Sequence, residues 1–415
     1  MKIFTKKSVL LLTAALLLGL LYLVGCAAGS DIKADLEADH PSVLRGYEAS
    51  GGPISFYSRM AAFEMDRPGN VVVRVDIDGT FESADVSYRS IPKKQVRYKN
   101  GKLVIDKEFF TVFQSPIDRV LNVHTKEGAT ASIPLMVANK VIMTVDEFVA
   151  INEDPTSLDG KYVLGADLDL SDKKSFEMIG LKVDEFGNEQ EWSFTGTLDG
   201  GGHMISNLTI DRGFDGSPNN EKGYKVGLFK RIGTTGIVRN LRVSNFDITA
   251  IGIGGALAGI NEGTLSNCIV INSQIKSKAD GNEPSGALAG FNADKAVVKN
   301  CIAQAKLTNV FTLIGGNFGA VTDCAGIPLA DSIVPRLGGY IRVGVEDWKP
   351  EGFLVESDYL VNMGEGTAQR TQTLEPEAYK QMENFTAFDD FIWNKAEGTG
   401  ITLRKLSIPN RPAAG

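Results

Sequence analysis

Between about Tyr47 and Val137 apolar and polar residues alternate in short runs, the period-two pattern of half-buried strands. The run Val71-Val72-Val73-Arg74-Val75-Asp76-Ile77-Asp78-Gly79 predicts one strand ending in an Asp-Gly turn. Val96 to Lys99 and Lys102 to Ile105 predict a hairpin joined by Asn100-Gly101, because a tight turn of this kind needs positive φ, which glycine tolerates. Strands of this sort predict a β-sandwich over 45–139. Thr144-Val145-Asp146-Glu147 then reads as a capping box opening a short helix to about Asn152, where the pattern changes.

Beyond that helix the chain repeats itself. Ile205-Ser206-Asn207-Leu208, Val238-Arg239-Asn240-Leu241, Leu265-Ser266-Asn267-Cys268, Val298-Lys299-Asn300-Cys301 and Val321-Thr322-Asp323-Cys324 align at offsets of 33, 27, 33 and 23 residues. Four of these strands are preceded by a small-residue segment: Val226 to Phe229, Gly255 to Gly259, Gly286 to Gly290 and Gly315 to Gly319. Varying offsets around a constant strand put the insertions in loops. Such a unit buries its apolar face only against the coils above and below, so the repeat predicts a β-solenoid, in the first instance a parallel β-helix. The expected fold class is all-β, a sandwich followed by a β-helix.

Composition agrees and removes some functions. Glycine is frequent at 45 of 415 residues and proline is only 15, which favours turn-rich β structure. A net charge of −8 makes nucleic acid a poor partner, since affinity for phosphate backbones comes from clustered Lys and Arg. At the N-terminus Lys2, Lys6 and Lys7 precede the almost unbroken apolar run Val9 to Val24, the layout of a secretory signal. A retained helix is the alternative, although the run falls short of the ~20 residues that span a bilayer. Removing residues 1–25 takes away three lysines and no acid, which leaves a charge of −11.

Three resemblances extend this reading. Leu23-Val24-Gly25-Cys26 looks like a bacterial lipobox, which implies cleavage before Cys26 and a lipid on its thiol, with 26–44 as a polar tether. Lys102 to Phe110 and Leu121 to Gly128 resemble, over some 45 residues, the second half of immunoglobulin-like modules of bacterial surface proteins. Gly255 to Asn261 and Gly286 to Asn292 resemble the GLUG-motif repeat family, as do Tyr162 to Ser171 and Phe194 to His203 at the entry. The GLUG resemblance implies a right-handed, pectin-lyase-like β-helix over 141–326 on a bacterial cell-surface protein. It leaves 327–383 unassigned and makes 384–410, with Phe388, Phe391 and Trp393, a closing strand and cap.

Candidate chemistry is sparse. Cys268, Cys301 and Cys324 share a repeat position, where a ladder of buried free thiols is expected, with one disulfide or a metal site as alternatives. Asn207, Asn240, Asn267, Asn300 and Asp323 precede that position and read as stacked bends, or else as a polar ligand stripe. Asp167, Asp169 and Asp199 are the acids best suited to calcium or to glycoside hydrolysis. Asp199 precedes Gly200-Gly201-Gly202 and reads first as a turn residue, and Asp167 and Asp169 as the solvent face of a strand. Gly200 to His203 is not followed by the Gly-Lys-Ser/Thr of a phosphate loop, and neither His-Glu-x-x-His nor Gly-x-Ser-x-Gly occurs. The bases Arg239, Arg242 and Lys299 are read as falling at different strand positions. No catalytic, cofactor-binding or metal residue is therefore assigned, and Cys26 is the one expected site, for lipid attachment. The function expected is a non-enzymatic protein of the bacterial envelope, anchored to the membrane, that adheres to or binds extracellular glycan or a surface protein. A polysaccharide lyase or hydrolase and a structural envelope protein are the alternatives.

Overall fold

The computed structural model describes residues 52–57, 59–173, 176–186, 188–212, 225–278 and 284–333 with their side chains, and the backbone of 334–336, 339–342, 367–369, 372–373, 393–396 and 400–403. The fold is all-β in its sheets, with short helical turns between them.

The first module is two small sheets. One orders Ile54–Phe56, Val71–Ile77, Lys102–Ile105 and Val96–Lys99, all antiparallel. The other orders Ala61–Glu64, Thr130–Ala138, Ile117–Thr125, Phe81–Val86 and Arg89–Ser90, with its first pair parallel. Alternation in the sequence becomes burial: Val71, Val73 and Val75 are inside while Arg74 and Asp76 are exposed. The Asn100-Gly101 turn has φ of 52° and 70°, the positive values a type I′ turn demands.

Thr144 caps the helix Val145–Val149 by accepting from the Glu147 N–H at 3.2 Å. The Glu147 carboxylate also accepts from the Met143 N–H at 2.7 Å, one residue before the cap. Its other oxygen is drawn to Arg67 of the first module at 2.7 Å. Phe148 and Ile151 then lie over the first coil, in the same core as the strands beneath them.

Three parallel sheets follow, visited in turn. Sheet 1 runs Lys140–Ile142, Lys161–Leu164, Thr197–Asp199, Ile237–Arg239, Thr264–Ser266, Val297–Lys299, Ala320–Thr322 and Thr367–Gln369. Sheet 2 starts at Leu168–Asp169 and passes through Met204–Ser206, Arg242–Ser244, Ile269–Ser277, Ile302–Thr308 and Ala325–Pro328 to Gln372–Thr373. Sheet 3 is shorter: Phe229–Ile232, Ala258–Asn261, Ala289–Asn292 and Ile314–Asn317. Leu198, Val238, Leu265, Val298 and Val321 form one fully buried column. The stack passes beyond Gly326, because strands 367–369 and 372–373 add to sheets 1 and 2. The segment left unassigned thus contains a further part of the repeat, which its divergent sequence concealed. Trp393–Ala396, within the segment expected to close the stack, pairs antiparallel with Gly400–Leu403. Phe388 and Phe391 lie outside the described residues.

Asparagine sets the corners. Asn240, Asn267, Asn300 and Asp323, between sheets 1 and 2, have φ between 52° and 57°, the left-handed region that Asn and Asp enter most readily among residues with a side chain. Their amides stack: Asn300 Nδ2 donates to Asn267 Oδ1 (3.2 Å), Asn267 Nδ2 to Asn240 Oδ1 (3.1 Å), and Asn240 Nδ2 to the Asp199 carboxylate (2.9 Å). Asn207, aligned with them in the sequence, is also left-handed but follows a sheet 2 strand, because Ile205 pairs with Val243 and not with Val238, and it bonds Asp169 and Asn245. A second ladder runs along the last three small-residue segments, with Ile232 at the same position in the first. Asn261 Nδ2 donates to Asn292 Oδ1 at 2.8 Å and Asn292 Nδ2 to Asn317 Oδ1 at 2.7 Å, all three being fully buried. Glycine in those segments serves close approach: a Cβ on Gly286 would lie 2.4 Å from Ala289 O and 2.5 Å from Leu313 O. Replacing Asn292 by alanine orphans a donor on Asn261 and an acceptor on Asn317. Urea unfolding of Asn292→Ala should show a loss of about 2–4 kcal/mol, while Asn309→Ala, at a half-buried position, should lose less.

Candidate functional site

The three acids singled out in the sequence do not converge. Asp167 accepts from the Met204 N–H at 3.0 Å and lies 3.1 Å from His203 Nδ1, holding the turn after Gly200-Gly201-Gly202. Asp169 accepts from the Asn207 amide at 2.8 Å and the Ser171 N–H at 2.9 Å, contacts that hold its carboxyl below the usual range. Asp199 makes the expected turn contact, to the Gly201 N–H at 2.9 Å, yet it is 1% exposed and bears the main charge of a cluster that its turn sequence does not reveal.

That cluster joins the first module to the stack. Arg239 Nε lies 2.7 Å and Arg59 Nη2 3.4 Å from the Asp199 carboxylate, Arg59 coming from the first module. Asp118, also from the first module, lies 3.4 Å from Arg239 and 3.2 Å from Lys161. Burial by itself raises the Asp199 carboxyl, but the guanidiniums of Arg239 and Arg59, with the Gly201 N–H and the Asn240 amide, outweigh it and hold the group below its ordinary value. Burial pulls Arg59 down, against the attraction of Asp199, and its Nε has no hydrogen-bond partner among the described residues. Around the charges, Met60, Met136 and Ala138 pack on Val163 of sheet 1, and Asn139 and Lys161 exchange backbone and side-chain hydrogen bonds of 2.9 and 2.8 Å. The module is docked by both charge and apolar contact.

Arg239 and Lys299 correct an expectation, since both lie in the outward column Asp199, Arg239, Ser266, Lys299, Thr322 of sheet 1. Arg242 stands apart on sheet 2. Arg239 is engaged by two carboxylates and Lys299 is exposed two coils away. Cys268, Cys301 and Cys324 are buried free thiols whose Sγ atoms point at the carbonyls of Ser266, Lys299 and Thr322 at 3.2–3.3 Å. Burial, with the neighbouring thiols adding to it, pushes Cys301 well above its ordinary value, so it stays protonated and unreactive. Cys26 lies outside the described residues.

The surface that sequence reasoning missed is the outer face of sheet 3. Its outward column is Arg231, Ile260, Phe291 and Gly316. At the N-terminal end a hairpin, Leu181–Val183 with Glu189–Glu191, supplies carboxylates to Lys230 (3.1 Å), Lys225 (2.8 Å) and Arg231 (3.2 Å). Arg231 also pairs with Glu262. At the other end the rings of Phe291 and Phe318 meet at 5.3 Å and 41°, and Phe318 is 43% exposed. A Cβ on Gly316 would come within 3.0 Å of the Phe291 ring, so glycine lets that ring lie on the sheet. A legible signal existed: Phe291 and Phe318 flank the asparagines that end two successive small-residue segments.

No family model matches the sequence. Halomucin of Haloquadratum walsbyi is 32% identical over 182 residues, which is 40% of this chain but 2% of that protein's length. A Bacteroides ovatus crystal structure described as a "putative immunoglobulin A1 protease" aligns over 64% of this chain and 91% of that one, at 14% identity and a TM-score of 0.37. A likeness of that size carries no argument about fold or activity.

The charge joint makes the stability of the chain depend on pH. A carboxyl held below its unfolded value stabilises fully above that value, and the contribution disappears as pH falls through the folded one. Acid unfolding followed by circular dichroism should therefore show the natural chain losing stability more steeply below pH ~4 than Asp199→Asn. At neutral pH Arg239→Met, which removes the cation shared by Asp199 and Asp118 and leaves Arg59 and Lys161 to offset them, should cost about 3–5 kcal/mol. The thiols should resist a maleimide in the folded chain, and Cys268, Cys301 and Cys324 should all label after denaturation without reductant. Labelling of one alone would reveal a bridge.

Proposed function

We propose that the chain is a non-enzymatic, lipid-anchored protein of the bacterial cell surface that binds extracellular glycan or protein. In this reading it is a right-handed parallel β-helix of the GLUG type with an immunoglobulin-like sandwich fixed to its N-terminal end, exported through residues 1–25 and held to the membrane by Cys26. The observation that carries the binding role is chemical. The acids singled out for chemistry, Asp167, Asp169 and Asp199, and the base Arg239 are engaged in turns and the joint, while the outer face of sheet 3 offers two aromatic rings, Phe318 exposed and Phe291 partly so. The identity to a segment of halomucin supports a surface or secreted setting. The buried joint favours a sandwich that orients the stack over one that merely spaces it from the membrane.

Two measurements bear on this. Cys26→Ala should move the protein from the detergent phase to the soluble fraction, and a variant that stays with the membrane would mean that Val9 to Val24 is a retained helix. The soluble chain from residue 27 should bind on a glycan array or to surface proteins while leaving uronate polymers uncut. Release of unsaturated uronate ends would transfer the chain to the lyases.

A further inference from the structure

We infer that the outer face of sheet 3, from the Arg231–Glu262 ion pair to the Phe291–Phe318 ring pair, is a binding site for a neutral oligosaccharide. The inference rests on the binding role proposed above and names its place and ligand class. Register puts Arg231, Ile260, Phe291 and Gly316 in one column on four successive strands. Glu262 and Phe318 each follow the buried asparagine of their own strands, Asn261 and Asn317. The ion pair and the ring pair therefore sit on equivalent diagonals two strands apart, about 10 Å at ~4.8 Å per strand, which is the reach of roughly two pyranose rings. Among the described residues, Ile260, 8% exposed, and Ala293 lie between them, and Pro284 borders the face at Gly316.

Each part suits sugar. The apolar C–H face of a pyranose stacks on an aromatic ring, whose face carries partial negative charge. Hydroxyls then reach a guanidinium that donates and a carboxylate that accepts. Arg231 is neutralised by Glu191 and Glu262, and the exposed Asp294 and Lys295 beside the site are of opposite sign, so no net positive charge awaits a uronate. Two partly exposed rings are far too small for a stable protein interface, which buries about 800 Å² on each partner. They match one or two sugar faces.

The test is calorimetry on the soluble chain from residue 27 with cellohexaose, laminarihexaose, mannohexaose and xylohexaose, beside oligogalacturonate. At least one neutral hexasaccharide should bind. Phe318→Ala should weaken it tenfold or more with an unchanged melting temperature, and Glu262→Gln should weaken it severalfold. Tyr88→Ala, an exposed aromatic of the first module, should leave the affinity as it was. Undiminished binding by Phe318→Ala overturns this site while the binding role stands. Preference for oligogalacturonate overturns the neutral ligand. Absence of any carbohydrate binding overturns the inference as a whole, and the proposed role then rests on protein ligands alone.

Discussion

Everything in the stack depends on returning the chain to the same register after each coil without leaving a buried polar group unpaired. The corner between sheets 1 and 2 is made by a left-handed residue at four successive coils, Asn240, Asn267, Asn300 and Asp323. Because each corner amide donates to the one before it, a short local bend becomes a continuous column that ends on Asp199. The second column, Asn261 to Asn317, donates in the opposite sense and closes the glycine-rich segments where backbones approach too closely for a side chain. Apolar packing fills the interior, but these amides decide which strand lies over which.

Asp199 is where that order meets the first module. It receives the corner column from one side and Arg59 and Arg239 from the other, so the turn, the ladder and the docking of the module share a single carboxylate. Burying these charges is costly, and the cost is met only while all partners are present. Glu147 repeats the arrangement at smaller scale, capping the helix with one oxygen and holding Arg67 with the other. The module and the stack are thereby oriented by groups that also terminate their own elements.

A structure so engaged leaves its outward columns free to vary. Sheet 1 is covered by the first module at Val163, Asp199 and Arg239, and sheet 3 by the hairpin and its ion pairs. Past the hairpin, the outer column of sheet 3 carries Ile260 and Phe291, with Phe318 beside them, on a backbone hydrogen-bonded to parallel strands on both sides. Rigidity lowers the ordering cost of binding there.

The sequence by itself determined the local geometry. Alternation marked Val71–Ile77, the Asn100-Gly101 pair marked the turn between Val96–Lys99 and Lys102–Ile105, and Asn240-Leu241 with the Asn-Cys pairs after it marked the repeat with its buried thiols, because each is a response to backbone angles or burial within a few residues. Asn207-Leu208 looked the same but belongs after a sheet 2 strand, which only the register reveals. Tertiary structure decided what distant residues do to one another. Arg59 and Asp118 lie far along the chain from Asp199 and Arg239, and nothing in the turn Asp199-Gly200-Gly201 tells that its carboxylate will be buried against guanidiniums. Phe291 and Phe318 read as ordinary apolar residues until register places one ring against the other on an outer face. The strands at 367–373 were hidden for the same reason, since pairing with a preceding coil is set by backbone hydrogen bonds that many sequences satisfy, and only the assembled stack selects the one that does.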